Sequence, residues 1–384
     1  MVLIKNGLIH DGKGGIYPDM DILIENGMFK EISQGIEAKE NMKVIDAKGK
    51  TIFPGFIDSL NHWGCKGPGW GDDDLSEHSD PVTPQLSTVY SFDHESMVFQ
   101  RVFEYGVTSA GIAPSTSNVL GGQVAVFKTY GTHPYKMLVK EEAAMMASIS
   151  KATKQLYGGK NLAPMTKMGA VALLKQALMD GINYEPSKES IAYDGKKEAM
   201  KKVTDKRMPL FINCETKSEL NALELALKDF SVDIVYTGAF GVKHESGKIA
   251  EKKQGIILGD LTQAMTTVNS TVDFQEISKL MEEGVEVAIS CCGDRTASGK
   301  ESLLWNAILC YKYGLDSEQV LKMVTSIPAK LLGVDDQIGS IEEGKDADFV
   351  IWSQNPIETY SAVAEQVYIN GENVLELGRE LSCW

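Results

Sequence analysis

The sequence has few cysteines, no excess of positive charge and no long apolar run. Six cysteines in 384 residues do not make the disulfide framework of a small secreted protein, so we expect reduced thiols. The amino-terminal apolar run is interrupted by Lys5 and Asn6 too early for a signal peptide, and no run reaches transmembrane length. A net charge of −15 disfavours nucleic acid and anionic membranes as partners. These features predict a cytoplasmic protein that binds a small molecule or another protein.

Short β-like runs occur at both ends of the chain. Between residues 2 and 50 they are separated by the pairs Asn6-Gly7 and Asn26-Gly27, which suit tight hairpin turns because both residue types tolerate positive φ. Residues 339–352 and 364–376 show the same pattern of short strand-like runs, with Asn370-Gly371 as a further turn. We therefore expect the two ends to pair in one small β domain.

The middle of the chain alternates buried strand-like runs with helix-like runs. Helical spacing of apolar residues occurs in residues 94–106, 167–181, 217–230 and 274–284. The predicted strands are Phe53–Asp58, Val107–Ala113, Val124–Lys128, Leu210–Cys214, Val232–Thr237, Gly255–Gly259 and Val285–Ser290. This alternation indicates a parallel sheet, closed or open. An eighth strand would lie between Lys128 and Pro209, where the sequence reads as mostly helical.

The segment PGFIDSLNH, residues 54–62, resembles the first barrel strand of the amidohydrolase superfamily, and the closing segment at residues 339–352 is similar to that of the same family. These are metal-dependent hydrolases of cyclic and linear C–N bonds, and the resemblance extends to the imidazolonepropionase-like branch. It implies an α/β fold, a TIM-like (β/α)8 barrel over residues 57–334. It also implies a small β-sandwich formed by residues 1–56 and 335–384, and a homodimer.

The resemblance also marks the positions where the family carries metal ligands. Its first strand usually ends Asp-x-His-x-His, and the two histidine positions here hold Leu60 and His62. The matching positions on three later strands hold Asn213 with Glu215, Thr237, and Cys292. Most of the metal ligands are therefore substituted, which makes a binuclear centre unexpected.

Three hypotheses remain for the site. In the first, His62, Glu215 and Cys292 hold a single zinc, with Cys291 or Asp294 nearby, because zinc accepts mixed N, O and S ligands. In the second, no metal is bound, Glu215 or Asp294 is the general base, and Cys292 is a nucleophile if Arg295 lowers its pKa. In the third, the barrel is a catalytically inactive partner subunit. The alternative for both cysteines is simple packing at a strand end.

Lys128 ends a strand-like run and belongs to the predicted pocket, whose other residues are Leu60, His62, Asn213, Thr237, Cys291 and Arg295. It is either paired with a carboxylate or in contact with a substrate anion. If the chain is active, the resemblance implies hydrolysis of a C–N bond in a small cyclic amide or an amino-acid-derived substrate.

Overall fold

The computed structural model describes residues 1–65, 73–97, 99–186, 192–239, 246–261, 272–291 and 299–376. Within these ranges the chain forms two eight-stranded sheets, one from its two ends and one from its middle. None of the helices in these ranges is long and apolar enough to cross a membrane.

The first sheet joins both ends of the chain. With strands numbered along the chain, it contains β1 (Val2–His10), β2 (Ile16–Glu25), β3 (Met28–Ser33), β4 (Lys43–Asp46), β5 (Thr51–Pro54), β14 (Phe349–Trp352), β15 (Ala364–Ile369) and β16 (Glu372–Asn373). Strands β5 and β14 pair antiparallel, with Pro54 opposite Phe349 and Thr51 opposite Trp352. This pairing joins the two chain ends as the sequence predicts.

Two of the three predicted Asn-Gly turns are hairpin turns. Asn26 and Gly27 connect β2 to β3, with φ values of 52° and 81°. Asn370 and Gly371 connect β15 to β16, and a Cβ on Gly371 would lie 3.0 Å from the Cα of Gly27. The prediction for Asn6 is wrong: its φ of 60° belongs to an irregularity inside β1, where the register with β2 shifts. A positive φ serves a bulge as well as a turn.

The second sheet is the predicted barrel, and the (β/α)8 class is confirmed. Its strands are β6 (Phe56–Asn61), β7 (Val107–Ile112), β8 (Leu120–Lys128), β9 (Leu138–Ser148), β10 (Leu210–Asn213), β11 (Ile234–Thr237), β12 (Gly255–Leu258) and β13 (Val287–Ile289). Each strand pairs with the next along the chain. Their carboxyl ends therefore meet at one rim, except where a strand is reversed.

Strand β8 is that reversed strand, which corrects the expectation of an all-parallel sheet. It pairs antiparallel with both β7 and β9. A parallel connection needs a crossover of about a dozen residues or more. Residues 113–119, between β7 and β8, form only a short loop, so the chain must turn back.

Strand β9 is the eighth strand, which the sequence did not reveal. Its sequence, LVKEEAAMMAS, consists mainly of residues that favour helices. Its second half is buried and pairs with β10 from Leu210 opposite Met145 to Asn213 opposite Ser148. Pairing and burial in the barrel outweigh the local preference.

The helices lie outside the barrel or at its ends. They are α1 (Pro134–Met137), α2 (Lys151–Gly159), α3 (Lys167–Asn183), α4 (Gly195–Thr204), α5 (Lys217–Leu227), α6 (Ser246–Lys252), α7 (Phe274–Glu282), α8 (Ser302–Lys312), α9 (Ser317–Met323) and α10 (Ser326–Leu332). The predicted helix at residues 94–106 is reduced to a 3-10 turn, Val102–Tyr105, preceded by Arg101 at a φ of 65°. A left-handed residue cannot continue a helix.

The barrel interior is apolar and closed at one end. Alternate residues of the strands form a buried cluster with α10 and the segment after it. The backbone N–H of Ile57, at the start of β6, donates to the carbonyl oxygen of Val324 at 2.7 Å. These contacts close the amino-terminal end, so the carboxyl end of the strands is where a site can open.

Candidate functional site

The inner wall changes from apolar to polar at the carboxyl ends of the strands. Phe211 and Val235 belong to the interior cluster, and side chains two residues apart on a strand share a face. Asn213 and Thr237 therefore continue the same wall, and both side chains are buried. The resemblance matched these two positions to metal ligands of the family, and both hold uncharged hydrogen-bonding groups.

His62 follows β6 and is buried at this rim. Its Nδ1 lies 2.8 Å from the carbonyl oxygen of Ala113, and because a carbonyl can only accept, Nδ1 carries the proton. In the neutral ring Nε2 then carries the lone pair, as in histidines that bind metals. Leu60, at the other family histidine position, packs in the apolar interior and has no atom that could bind a metal.

Asp58 is a buried carboxylate to which the sequence analysis assigned no role. Its oxygens accept the backbone N–H of Cys291 at 3.2 Å and of Leu60 at 3.3 Å. Burial raises the pKa of Asp58 to about 6, although these N–H donors and the nearby Asn61 side chain act in the opposite direction. A carboxylate that directly follows an apolar run in a strand expected to be buried was the signal that could have drawn attention to it.

Asp58 and its neighbour join the first and last barrel strands. Among the described strands, β6 and β13 share no backbone ladder. Instead, the Oγ of Ser59 donates to the carbonyl oxygen of Ile289 at 2.8 Å, and Asp58 accepts from Cys291. Side chains therefore close the barrel next to the rim.

Glu215 is half-buried at the turn from β10 into α5. Its backbone N–H donates to Oε2 of Glu219 at 3.0 Å, and Glu219 also forms a capping box with Thr216 at the start of α5. In the strand order β10 is four positions from β6. In an eight-stranded barrel this places Glu215 and His62 on opposite walls of the rim, across an interior that side chains can fill.

Asn213 and Thr237 are neighbours in the ladder between β10 and β11. Nδ2 of Asn213 donates to the backbone oxygen of Thr237 at 3.5 Å. The Oδ1 of Asn213 and the Oγ1 of Thr237 are buried and have no hydrogen-bond partner. Buried polar atoms are rarely left in this state, so these two mark the rim as a place where a ligand could be bound.

The cysteines of the described residues are buried, and none of them forms a disulfide. Burial raises the pKa of the Cys65 thiol to about 11 and raises the pKa of the Cys214 and Cys310 thiols as well. Such thiols are poor nucleophiles. Cys291 ends the β13 segment and is tied to Asp58 through its backbone N–H.

Three of the predicted site residues, Cys292, Asp294 and Arg295, lie outside the described residues. The structure therefore bears on the predicted zinc ligands only through His62 and Glu215.

The structure does not bring Lys128 together with the other predicted pocket residues. Because β8 is reversed, Lys128 lies opposite Ser109 near the amino-terminal end of the barrel. Its Nζ lies 2.9 Å from the carboxylate of Asp346 and 2.5 Å from that of Asp348. The predicted pairing with a carboxylate is correct, and the placement in the pocket is not.

The described residues do not fit a binuclear metal centre. Residues 1–65, 73–97, 99–186, 192–239, 246–261, 272–291 and 299–376 contain no group of three His, Cys, Asp or Glu side chains that could hold an ion. His62 has the hydrogen bond of a metal ligand and Glu215 offers a carboxylate, but Leu60, Asn213 and Thr237, at three further positions that the resemblance matched to ligands, offer neither imidazole nor carboxylate. We therefore derive no chemical step through a metal.

The family profile described as Amidohydrolase family matches residues 151–374. Over 393 residues the chain is 23% identical to the amidohydrolase tasK of Hapsidospora irregularis, covering 91% of this chain and 39% of that protein. It is 24% identical to the imidazolonepropionase of Treponema denticola, covering 93% of this chain and 92% of that protein. This chain thus spans about two fifths of tasK and nearly all of the imidazolonepropionase.

A crystal structure of an amidohydrolase from Thermotoga maritima MSB8 superposes with a TM-score of 0.90 and 30% sequence identity, covering 97% of this chain and 99% of that chain. The likeness includes both the barrel and the sheet formed by the chain ends.

Proposed function

Because this chain belongs to the amidohydrolase family, we propose that it hydrolyses a C–N bond of a small cyclic amide at the carboxyl end of its barrel. Members of the family generally use metals. The imidazolonepropionase among its relatives is named for a substrate with a ring. The substrate is a small molecule, since the net charge of −15 does not suit a polyanionic partner.

One observation carries the proposal. The rim holds a half-buried carboxylate, Glu215, across from a buried histidine, His62, with the uncharged polar groups of Asn213 and Thr237 beside it. A general base needs to reach a water that faces the substrate, and a partly enclosed carboxylate at the barrel rim meets this requirement. Asp58 is fully buried and acts as a positioning residue that holds the end of β13.

The reaction follows from these roles. Glu215 takes a proton from a water, whose oxygen attacks the amide carbonyl carbon. The C–N bond breaks, and the departing nitrogen receives the proton, so that a lactam opens to an amino acid and a dihydrouracil or hydantoin ring opens to a ureido acid. Asp294 and Cys292 remain predicted participants.

Ring opening of dihydrouracil, hydantoin and 2-piperidone, followed by mass spectrometry of the acid product, tests the proposal. Glu215→Gln should lower kcat at least about 100-fold, because general-base catalysis contributes 10² to 10⁴. Glu365→Gln is the matched control, since Glu365 pairs with Lys50 in the terminal sheet. Equal rates in the two variants, or turnover of none of the rings, would contradict the proposal.

The substituted ligand positions favour a second candidate, a non-catalytic subunit that partners an active relative. Leu60, Asn213 and Thr237 offer neither imidazole nor carboxylate where the family has ligands. This candidate predicts co-purification with a metal-binding relative from the native source. Turnover by the isolated chain would exclude it.

Metal analysis adds a further distinction. A single zinc on His62, Glu215 and Cys292 predicts at most one ion per chain, lost in His62→Ala, whereas two ions per chain would contradict the substituted ligand set. Light scattering of the same preparation tests the expected dimer.

A further inference from the structure

We propose that Asn213 and Thr237 form an uncharged subsite that binds the edge of a cyclic amide: Asn213 Oδ1 accepts the ligand's N–H, and Thr237 Oγ1 donates to its carbonyl oxygen. This inference deepens the proposed function because it names the chemical group of the substrate that the protein recognises. It rests on the proposed function only in assuming that the bound ring is then opened.

The two side chains stand next to each other on the inner wall. Asn213 and Thr237 are partners in the parallel ladder of β10 and β11, and neighbouring strands lie about 4.8 Å apart. Their relative exposures are 8% and 1%. A ligand held by this pair would therefore be bound in a largely dehydrated place, where hydrogen bonds discriminate best.

The orientation of the Asn213 amide is set by the backbone. Its Nδ2 donates to the carbonyl oxygen of Thr237 at 3.5 Å, which leaves Oδ1 as the group offered to a ligand. The Oγ1 of Thr237 has no partner either. An unsatisfied buried polar atom destabilises a fold, so a ligand that satisfies both atoms binds more tightly than one that satisfies neither.

Gly238 lies against the amide of Asn213. It has a φ of +71°, and a Cβ there would lie 2.7 Å from Nδ2 of Asn213. A side chain at this position would press on Nδ2, which donates to the backbone oxygen of Thr237. The glycine therefore serves the turn after β11 and leaves the Asn213 amide in its orientation.

The chemistry of the pair selects a cyclic amide. A ring forces the amide into the cis form, so that its N–H and its C=O point to the same side, whereas a linear amide is trans and points them apart. One acceptor beside one donor on adjacent strands matches the edge of a lactam or cyclic imide. A carboxylate has no proton to give Oδ1, and neither side chain carries a charge to balance it.

Isothermal titration with 2-piperidone and N-methyl-2-piperidone tests the subsite without requiring turnover. The wild-type protein should bind 2-piperidone at least 10-fold more tightly, because the methylated ring cannot donate to Asn213. Asn213→Leu should abolish this preference. Thr237→Val should weaken both ligands at least 10-fold while keeping their ratio.

Ser109→Ala is the matched control, since Ser109 Oγ is also buried without a partner but pairs with Lys128 at the other end of the barrel. Its affinities should equal those of the wild type, and thermal melting confirms that each variant is folded. Equal affinity of the wild type for the two rings, or no binding of 2-piperidone, would overturn the subsite. If the wild-type protein opens rings but does not prefer 2-piperidone, the subsite is wrong and the proposed function stands. If it prefers 2-piperidone but opens no ring, the proposed function is wrong and the subsite stands.

Discussion

The two ends of the barrel treat buried polar groups in different ways. At the amino-terminal end, Lys128 is buried between the carboxylates of Asp346 and Asp348, which belong to the terminal-sheet segment. At the carboxyl end, Asn213 and Thr237 leave polar atoms without a partner. The charged groups at the amino-terminal end join the barrel to the sheet, although the Oγ of Ser109 is also buried there without a partner. At the carboxyl end the two unpartnered groups lie on adjacent strands, where we propose that a ligand binds.

The difference also appears in the buried carboxylates. Asp348 has a lysine beside it and accepts the backbone N–H of Asn370 at 2.8 Å. Asp58 is held by backbone N–H groups at the opposite end. Burial raises the pKa of both carboxyls, but only Asp348 has a described cation that favours its charged form.

Removing the lysine should have the largest effect on stability. In Lys128→Met, Asp348 would remain buried without a cation, and breaking a buried pair in this way costs about 3–5 kcal/mol of unfolding free energy. Urea denaturation at pH 7 measures the loss. Lys50→Met is the control, since its pair with Glu365 is about one-third exposed and should change stability by less than about 1 kcal/mol. Similar losses of unfolding free energy in Lys128→Met and Lys50→Met would contradict the stabilising role assigned to the buried ion pair.

Asp58 should give the protein a pH dependence of opposite sign to that of an ordinary paired carboxylate. Its pKa is raised from 3.8 to about 6, so the folded state binds more protons between these values, and stability falls as pH rises through this window. The shift corresponds to a fall of about 3 kcal/mol. Asp58→Asn cannot ionise and should lack this fall. Urea denaturation from pH 3.5 to 7 measures the difference, and parallel profiles would contradict the assigned pKa shift.

The smallest change in unfolding free energy is expected at the carboxyl-end rim of the barrel, and it should be stabilising. Thr237→Val keeps the shape but removes an unsatisfied buried hydroxyl, so the unfolding free energy should rise by about 1 kcal/mol. Thr88→Val is the matched control with the opposite sign, because its Oγ1 donates to the carbonyl oxygen of Ile112 at 2.8 Å and accepts the N–H of Ala125 at 3.2 Å. Thermal denaturation compares the two. Loss of stability in Thr237→Val would show that its hydroxyl is satisfied.

The sequence predicted the parts of the fold that have a local pattern. The seven predicted barrel strands are short runs rich in buried apolar residues, and helices such as α3 and α5 have apolar residues at three- and four-residue spacing. Strand β9 has neither pattern, because its buried half consists of Ala, Met and Ser, which helices also accept. The reversal of β8 depends on a short connection that has no sequence signal of its own.

For the site, the resemblance identified Leu60, His62, Asn213 and Thr237 as rim positions, since position along a strand determines which end of the barrel a residue reaches. The same reasoning placed Lys128 at the wrong end, because it assumed that every strand runs in one direction. It also passed over Asp58, whose role depends on Cys291, far away in the sequence.

The sequence by itself determined the alternation of strands and helices, the pairing of the two chain ends and the residue types at the strand ends, because each depends on residue types and their spacing. Only the tertiary structure decided which polar atoms are satisfied: Lys128 between two carboxylates, Asp58 across the barrel seam, and Asn213 and Thr237 without partners. Hydrogen bonding between buried groups depends on distances between strands that are remote in the chain, and no local pattern carries that information.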